Sequence, residues 1–513
     1  MPHIGITASP RPCHHDPPYP MTGHYYIACD LGAESGRVML GHLENGRLAI
    51  EEIHRFSNTP VPLGNSLRWN ILGIFEELKT GLAKVAAKKV PVASLSVDSW
   101  GVDYALFNNR QPLLAPPHHY RDTRTDAIFD RTLTSSLPPL IFEETGIQFM
   151  GLNTLYQLIA EVETNPDLLA IADQFLNIAD YLHYLFSGVC RAEESLASTT
   201  QIYNPRTRAW SSKLIAQFGF PEKCFPPVVA SGTKLGPLLP DNADATGLHG
   251  VEVIATCSHD TGAAVAAVPA HGDGWAYLSS GTWSLIGVEL DAPLISEKVR
   301  AHNFTNEAGY GGTTRFLKNI VGLWILQECR RTWSASGNAL DYAALNQLAT
   351  AAEPLRSLIN PNAARFLKPG QMPEKISAYC HETGQPAPET PGQFTRCILE
   401  SLSLLYRRTL DELQTLTGRT IHTLHIVGGG SQSTLLNQFA ANSTGRSIIA
   451  GPFEATAIGN LLIQAIALDH LQSLEELRKT VRDSYPVTIF KPQDATVWKT
   501  AHERFARLEP VAG

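Results

Sequence analysis

The residues best suited to carry out chemistry are His259, Asp260 and Thr261, at the centre of a short polar turn. A β-branched apolar segment from Val251 precedes them, and Gly262 begins an Ala/Val-rich stretch after them. This order predicts a carboxylate at a strand-to-helix turn, where α/β folds usually place their chemistry. The alternative is that Asp260 caps the following helix through its side-chain oxygen, a common role for aspartate. The turn alone does not decide between the two.

Two other stretches have the composition of glycine-rich hairpins. Residues 25–41 and 275–288 each read as a strand, a small polar turn and a second strand. Small residues at such tips let backbone N–H groups converge on an anion, and Asp30 beside the first tip is able to hold a cation. Each hairpin alone is also explained as an ordinary tight turn. By analogy, the pair predicts two similar half-molecules facing a shared cleft.

A third turn combines an aromatic residue with carboxylates. Asp98 and Asp103 flank Trp100 and Gly101. This pattern suits a polyol, because an aromatic face covers C–H groups and carboxylates accept hydroxyl protons. A core tryptophan explains the pattern at least as well.

Later segments carry polar groups on predicted helices and turns. A helix predicted from Lys318 presents Asn319 and Gln327 toward a ligand. Three consecutive glycines, 428–430, lie between a predicted strand and a predicted helix, where they allow a flat ligand close to the backbone. Apolar periodicity predicts further helices over residues 71–90, 153–162, 172–186, 211–218 and 390–417.

Composition narrows the class of protein. A chain of 513 residues predicts two or three domains. A net charge of −8 without a long basic run argues against nucleic acid or an anionic membrane as partner, and the apolar stretches are too short to span a bilayer. Eight scattered cysteines without a C-x-x-C pattern predict a reducing cytoplasmic location. Residues 1–23, rich in Pro and His, are expected to form a flexible extension.

Common nucleotide and hydrolase motifs are absent from the sequence. It contains no G-x-x-x-x-G-K-[ST], no G-x-G-x-x-G and no G-x-S-x-G. These absences exclude P-loop enzymes, dinucleotide fingerprints, protein-kinase loops and the hydrolase nucleophile elbow. The interpretation that remains is a nucleotide held by the two hairpin loops.

Several motifs, taken together and in order, resemble the FGGY carbohydrate kinases. They are DLGAESGR (30–37), SVDSWGVD (96–103), YRDTRT (120–125), SHDTG (258–262), SSGTWS (279–284), KNIVGLW (318–324), VGGGSQ (427–432) and GPFEAT (451–456). The resemblance implies two actin-like (ribonuclease H-like) α/β domains with ATP and sugar in the interdomain cleft. The expected boundaries are 24–262 and 263–495, with a C-terminal tail over 496–513.

The resemblance also implies roles for individual residues. Asp260 corresponds to the catalytic base, and Asp30 to the residue that positions Mg²⁺ through water. The sugar contacts are expected at Gly101, His259, Asp260, Thr261 and Asn319. The ATP contacts are expected at Ala33, Glu34, Ser35, Gly36, Arg37, Thr282, Gln327 and Gly429. Glu34 departs from the family pattern, and because an acid repels phosphates, its side chain is expected to turn outward.

The resemblance implies transfer of the γ-phosphate of ATP to the C1 hydroxyl of a ketose, with L-rhamnulose as the first expectation. L-fuculose or another ketose is the alternative substrate. An actin-like nucleotide-dependent binding or regulatory protein is the alternative of a different class. A monomer or a homodimer is expected, and the sequence leaves open whether Cys380 and Cys397 approach closely enough to bridge.

Overall fold

The structure is a computed structural model that describes residues 22–508. The expected flexible extension, residues 1–23, therefore lies outside the described part of the chain except for its last two residues. Residues 509–513 of the expected C-terminal tail lie outside it as well.

Two main sheets and several short ribbons make up the strands. In chain order they are β1 His24–Leu31, β2 Ser35–Glu44, β3 Arg47–Ser57, β4 Val61–Leu63, β5 Ser66–Arg68, β6 Val92–Ser99, β7 Tyr104–Phe107, β8 Gln174–Asn177, β9 Ala192–Glu193, β10 Tyr203–Asn204, β11 Ala209–Trp210, β12 Val228–Val229, β13 Thr233–Pro237, β14 Glu252–Ala255, β15 Trp275–Ser280, β16 Trp283–Leu290, β17 Thr305–Ala308, β18 Thr314–Val321, β19 Thr423–Val427, β20 Ser447–Ala450 and β21 Thr488–Phe490.

Helices cover the sheets and form the insertions between strands. In chain order they are α1 Ile71–Ala86, α2 Asp126–Leu133, α3 Pro138–Thr145, α4 Thr154–Thr164, α5 Pro166–Ile171, α6 Ile178–Ser187, α7 Glu194–Thr199, α8 Ser212–Phe218, α9 Pro240–Thr246, α10 Asp260–Ala266, α11 Glu297–Ala301, α12 Trp324–Ala335, α13 Tyr342–Ala351, α14 Met372–Glu382, α15 Pro391–Thr417, α16 Thr434–Thr444, α17 Ala455–Ala467, α18 Leu474–Ser484 and α19 Ala495–Ala506.

The two main sheets share one plan. The first has the order β13-β14-β6-β1-β2-β3, in which β1, β2 and β3 are antiparallel and β6 and β14 run parallel to β1. The second has the order β17-β18-β16-β15-β19-β20-β21, in which β15, β16 and β18 are antiparallel and β19 and β20 run parallel to β15. Each half thus begins with a hairpin and continues with parallel strands. The prediction of two similar α/β halves is confirmed.

Two helices join the halves. Helices α10 and α17 cross so closely that a Cβ added to Gly459 would lie 1.9 Å from the carbonyl oxygen of Ala263. Gln464 of α17 accepts a hydrogen bond from Ser94 and donates one to the carbonyl of Ile27, both in the first sheet. Buried apolar residues from both helices and both sheets surround this crossing. The two halves therefore share a packed contact at the base of the cleft.

The longest helix, α15, begins and ends where the sequence predicts. Thr390 caps its first turn, since the hydroxyl oxygen accepts the N–H of Gln393 while the Gln393 side chain accepts the N–H of Thr390. Pro391 occupies the first turn, and Gly418 ends the helix at φ 69°, a left-handed conformation that glycine adopts without strain.

The structure corrects two predicted helices. The helix expected from Lys318 begins only at Trp324, and Asn319 lies on β18, paired with Leu285 of β16. The sequence TRFLKNIV is rich in β-branched and apolar residues, and pairing on both sides holds it as a strand. The helix expected over 172–186 contains β8 and is helical only from Ile178.

The C-terminal segment is also more ordered than a tail. Helix α19 lies within it, and its side chains Trp498 and Phe505 are buried in the apolar core of the second half. In the same core the thiols of Cys380 and Cys397, both unbridged, form a hydrogen bond, which lowers the pKa of Cys380. The two cysteines therefore do approach each other.

Candidate active site

The turn that carries His259 and Asp260 follows β14 and is hydrogen-bonded to the neighbouring strand β6. The backbone N–H of Ser99 at the end of β6 donates to the carbonyl of Ser258 (2.9 Å). The backbone N–H of His259 donates to Ser195 Oγ (3.0 Å). Helix α10 then starts at Asp260 and consists of small residues, which suit the close crossing with α17. The predicted strand-to-helix turn is confirmed, at the carboxyl ends of two parallel strands.

The two oxygens of the Asp260 carboxylate have different surroundings. Oδ1 accepts hydrogen bonds from the backbone N–H (2.5 Å) and the hydroxyl (3.1 Å) of Thr261. Among the described residues, no hydrogen bond engages Oδ2. The N-cap of α10 is His259 and not Asp260. Asp260 is therefore not the capping residue of α10. Its Oδ1 contacts the adjacent Thr261, and its Oδ2 is left for other partners.

Burial makes Asp260 more basic than an ordinary aspartate. Its side chain is 32% exposed, all the rest being enclosed by the turn and the cleft wall. Burial raises the pKa of Asp260, His259 opposes the shift, and the negative charge of Asp30 adds to it. A carboxylate with a raised pKa is better able to accept a proton.

A cavity of about 290 Å³ lies between the two halves, and Asp260 lines it. The predicted site residues that also line it come from both halves: Ala33, Gly101, His259, Thr261, Thr282 and Asn319. The cavity is of the size that holds a small ligand. The predicted residues that do not line it are Asp30, Glu34, Ser35, Gly36, Arg37, Gln327 and Gly429.

One wall of the cavity is aromatic, and a buried carboxylate holds it. Trp100 and Tyr120 line the cavity. Asp103 Oδ2 accepts the indole N–H groups of Trp69 (2.6 Å) and Trp100 (3.0 Å) and the backbone N–H of Tyr120 (3.0 Å). Burial raises the pKa of Asp103 to about 6, against these hydrogen bonds. Asp103 is fully buried, so it positions the aromatic wall and does not contact a polyol.

Asp98, the other carboxylate expected to accept sugar hydroxyls, is also fully buried. It accepts a hydrogen bond from Asn460 of α17 (2.6 Å) and so joins the two halves. Gly101, between these two acids, does line the cavity, and a Cβ there would lie 2.7 Å from Thr199 Oγ1. The absence of a side chain is therefore a packing requirement at this position.

The first hairpin tip is shorter than residues 33–37. The N–H of Gly32 donates to the carbonyl of Ser35 (2.9 Å), and the side chain of Asn58 donates to the carbonyl of Gly32 (2.9 Å). Residues 35–37 already belong to β2; all three pair with β3, and Gly36 and Arg37 also pair with β1. Glu34 is exposed, with its carboxylate 3.6 Å from Arg331 of α12, which agrees with an outward orientation.

Arg37 connects the halves through two acids. One guanidinium nitrogen donates to Asp30 on β1, and the other donates to Glu454 (2.6 Å), the residue just before α17. Asp30 and Arg37 are both largely buried. Because both partners of the guanidinium are carboxylates of the protein, Arg37 fixes Asp30 beside the cleft.

The second hairpin tip meets two other turns. Gly281 accepts a hydrogen bond from the N–H of Leu323, and Thr282 accepts one from the N–H of Trp324, at the start of α12. A Cβ on Gly430 would lie 2.0 Å from Ser280 Oγ, so the triple-glycine turn packs against the same hairpin. One helical turn further, the amide oxygen of Gln327 is buried without a hydrogen-bond partner. A water molecule or a polar group of a ligand would satisfy such an atom.

Sequence reasoning missed several residues in and around the site, among them Gln148, Glu307 and Arg315. Gln148 Oε1 accepts the backbone (2.8 Å) and side-chain (3.2 Å) N–H groups of Asn319, and Gln148 Nε2 donates to its carbonyl (3.1 Å). Glu307 and Arg315, on β17 and β18, lie beside His259. None of the three belongs to a recognised motif. Gln148 contacts Asn319 and Arg315 contacts His259, each distant in the sequence, and Glu307 contacts Arg315 on the adjacent strand.

The described residues contain no group of three or more His, Cys, Asp or Glu side chains able to hold a metal ion. Asp30, with Arg37 on one oxygen, lies behind the cavity wall and close enough to Asp260 to raise the pKa of that carboxylate. This arrangement fits Mg²⁺ better than a metal ion coordinated entirely by protein side chains. Mg²⁺ usually keeps several waters and binds through one or two carboxylates plus substrate phosphates.

Comparison with solved structures shows the fold. Xylulose kinase from Lactobacillus acidophilus superposes with a TM-score of 0.79 at 15% identity, covering 94% of this chain and 97% of that one. Glycerol kinase from Plasmodium falciparum, solved with ADP, superposes with a TM-score of 0.76 at 14% identity, covering 96% and 99%. The predicted pair of actin-like (ribonuclease H-like) domains is confirmed. None of the helices between residues 22 and 508 has the length and apolar character that a membrane crossing requires.

Comparison at the sequence level shows the family. The rhamnulokinase of Bacteroides thetaiotaomicron is 43% identical over 484 residues, covering 94% of this chain and 98% of the relative. The rhamnulokinase of Enterococcus faecalis is 41% identical over 487 residues, covering 94% and 97%. The N-terminal domain of the FGGY family of carbohydrate kinases matches residues 25–267, and its C-terminal domain matches residues 276–468. The chain therefore belongs to the FGGY family of carbohydrate kinases.

Proposed function

We propose that this kinase transfers the γ-phosphate of ATP to the C1 hydroxyl of L-rhamnulose, with Asp260 as general base. The observation that carries the mechanism is the Asp260 carboxylate, which lines the cavity with Oδ1 held by Thr261 and Oδ2 without a hydrogen-bond partner among residues 22–508. Two relatives named rhamnulokinase, each above 40% identity along nearly the whole chain, support the substrate.

In this proposal the sugar lies in the cavity of about 290 Å³. His259, Thr261, Asn319 and Gly101 surround it, and the aromatic wall covers its C–H face. As the C1 oxygen attacks, its proton passes to Asp260; an oxygen–phosphorus bond forms and the bond from phosphorus to the leaving ADP oxygen breaks. Closure of the two halves would exclude water, which otherwise competes for the phosphoryl group.

The nucleotide would lie along the two hairpin tips. Backbone groups at the tip, at Ala33 and Glu34, form the first phosphate contact, and Ser35, Gly36 and Arg37 support the tip from β2. Thr282 provides the second, and Gln327 and Gly429 border the base and ribose. The buried, unpartnered amide oxygen of Gln327 supports this placement. Mg²⁺, held through water by Asp30, would neutralise charge on the phosphates when bound.

The proposal also covers the cellular location and the assembly of the protein. A cytoplasmic enzyme that uses ATP fits the cysteines of residues 22–508, which are unbridged and of which Cys29, Cys257 and Cys329 are fully buried. A monomer or a homodimer remains the prediction for the assembly.

Sugar-dependent formation of ADP, with phosphorus NMR of the sugar product, tests the kinase assignment. We expect ADP release to require a ketose and to yield an ester at C1. Hydrolysis of ATP at the same rate without sugar, and without a phosphorylated product, would favour the nucleotide-dependent binding protein instead.

The raised pKa of Asp260 predicts the pH below which kcat/KM falls. A raised pKa means that the carboxylate binds a proton at a higher pH, so the base is lost earlier as the pH falls. We expect the acid limb of kcat/KM to lie above the ordinary aspartate value of 3.8. The measurement is kcat/KM across pH, with near-ultraviolet circular dichroism recorded at each pH to confirm folding. An acid limb at or below 3.8 in folded protein would contradict the assignment.

Replacing Gln148 by leucine is expected to raise the KM for the sugar about tenfold, since hydrogen bonds that position a polar ligand are each worth about 1 kcal/mol. The change removes the contacts that hold Asn319 and leaves the nucleotide side untouched, so the KM for ATP stays the same. The matched control is Gln414→Leu, whose amide oxygen accepts the backbone N–H of Ile421 away from the cleft. Equal effects of the two variants on the sugar KM would refute a role of Gln148 in the site.

A further inference from the structure

The two ring nitrogens of His259 face groups of opposite character. Arg315 Nη2 lies 3.1 Å from His259 Nδ1 with hydrogen-bond geometry. On the other side, His259 Nε2 lies 3.4 Å from Asp260 Oδ1. A guanidinium can only donate, so Nδ1 must be the acceptor, and the single proton of a neutral imidazole is then on Nε2.

Arg315 reaches His259 from the second half of the molecule as part of a buried ion pair. It is fully buried on β18, and its Nε donates to the carbonyl of Ala308 (3.0 Å). Its Nη1 lies 3.2 Å from Glu307 Oε2, on the adjacent strand β17 directly opposite in register. Burial acts to raise the pKa of Glu307, but the neighbouring groups, Arg315 foremost, outweigh it and lower the pKa. Glu307 therefore stays charged and compensates a guanidinium that would be costly to bury alone.

Glu307 also offers His259 a second possible partner. Its Oε2 lies 3.4 Å from His259 Nδ1, and a carboxylate can only accept. Donation from Nδ1–H to Glu307 would reverse the tautomer and turn a bare Nε2 toward Asp260. Either tautomer leaves a bare ring nitrogen 3.4 Å from a carboxylate oxygen, so this repulsion does not distinguish them. The hydrogen-bond geometry of the shorter Arg315 contact requires a bare Nδ1 and therefore favours the proton on Nε2. The charged groups around the ring are thus Asp260, Glu307 and Arg315.

We propose that Arg315 and Glu307 are positioning residues that hold His259 as a neutral imidazole with its proton on Nε2, directed at Oδ1 of Asp260. The proposal rests on the proposed role of Asp260 as base. Oδ1 then accepts the two hydrogen bonds of Thr261 and faces the Nε2–H of His259 at 3.4 Å, and Oδ2 is the oxygen that takes the proton of the sugar hydroxyl. Because Glu307 and Arg315 belong to the second half, they tie the orientation of the base to the position of that half.

The tautomer can be measured directly on the free protein. Histidine labelled with ¹⁵N distinguishes a protonated from an unprotonated ring nitrogen by chemical shift, and comparison with His259→Gln identifies the signals of His259. We expect Nε2 protonated and Nδ1 unprotonated at neutral pH. A protonated Nδ1 in the wild-type protein would overturn the proposal. The spectrum needs no substrate, so a wrong sugar assignment leaves this result unaffected.

A double variant, Glu307→Gln with Arg315→Met, tests the positioning role in turnover. Both charges are removed together, because a single change would leave an uncompensated buried charge. We expect loss of the wild-type tautomer signal and a fall in kcat of about tenfold per folded molecule, with an unchanged KM for ATP.

The matched control is Glu400→Gln with Arg396→Met, a largely buried pair in the core of the second half (2.8 Å). It is expected to change neither the His259 signals nor kcat. A double variant at 307 and 315 that keeps both the tautomer and kcat would overturn the proposal. If that variant fails to fold, the wild-type spectrum still decides, since the tautomer itself is the claim.

Discussion

Replacing Asp260 by asparagine is expected to lower kcat by about 10²–10⁴-fold while leaving the fold and ATP binding intact. The amide has the shape of the carboxylate, so the hydrogen bonds from Thr261 to Oδ1 are retained. It cannot accept the proton of the sugar hydroxyl, which is the role left for Oδ2. Turnover is measured with isotopically labelled ATP, and nucleotide binding by calorimetry.

The control for this substitution is Asp244→Asn, at a carboxylate that is 78% exposed and remote from the cavity. It is expected to behave as the wild-type protein. Near-normal turnover by the Asp260→Asn variant would remove Asp260 as the base. Loss of nucleotide binding in that variant would show instead that the residue acts mainly on the nucleotide side.

Adding one methyl group at Gly459 is expected to destabilise the protein by about 1–3 kcal/mol, the usual cost of overpacking a well-packed contact. The new Cβ of Gly459→Ala would lie 1.9 Å from the carbonyl oxygen of Ala263, and a backbone atom cannot move aside as a flexible side chain can. Helices α10 and α17 must separate, and α10 begins at Asp260. We therefore expect a lower midpoint of chemical denaturation together with reduced turnover.

The control for Gly459 is Gly151→Ala, where the nearest atom to a new Cβ is 3.4 Å away, in ordinary van der Waals contact. Its midpoint of denaturation should stay near that of the wild-type protein. Equal midpoints for the two variants would show that the crossing of α10 and α17 tolerates expansion. In that case the base of the cleft would be less rigid than its packing indicates.

The parts of the site that could be predicted from the sequence are those coded within a few consecutive residues. The Asp260 turn, the two hairpin tips and the ends of α15 at Pro391 and Gly418 all depend on local backbone preference. These features appear in the structure where the sequence predicts them, except that the first hairpin tip is shorter because Ser35, Gly36 and Arg37 belong to β2. The family resemblance added roles for these residues that spacing alone left open.

Other parts depend on contacts that local patterns do not encode. Asn319 was predicted on a helix, but pairing with β16 places it on a strand, because tertiary pairing overrides helical periodicity in a short apolar run. Asp103 looked like a ligand for hydroxyl groups, but the indoles of Trp69 and Trp100 occupy it. Gln148 reaches Asn319 across 171 positions in the chain, a contact that no local spacing reveals.

The most direct test of the central claim is the specificity constant for a panel of ketoses and polyols, measured with labelled ATP. Each candidate sugar, including L-rhamnulose and L-fuculose, is supplied at several concentrations, and the labelled sugar phosphate is isolated. We predict the highest kcat/KM with L-rhamnulose and a product esterified at C1. A higher kcat/KM with any other sugar would contradict the assignment of the substrate, and labelled phosphate without a sugar ester would contradict the assignment as a kinase.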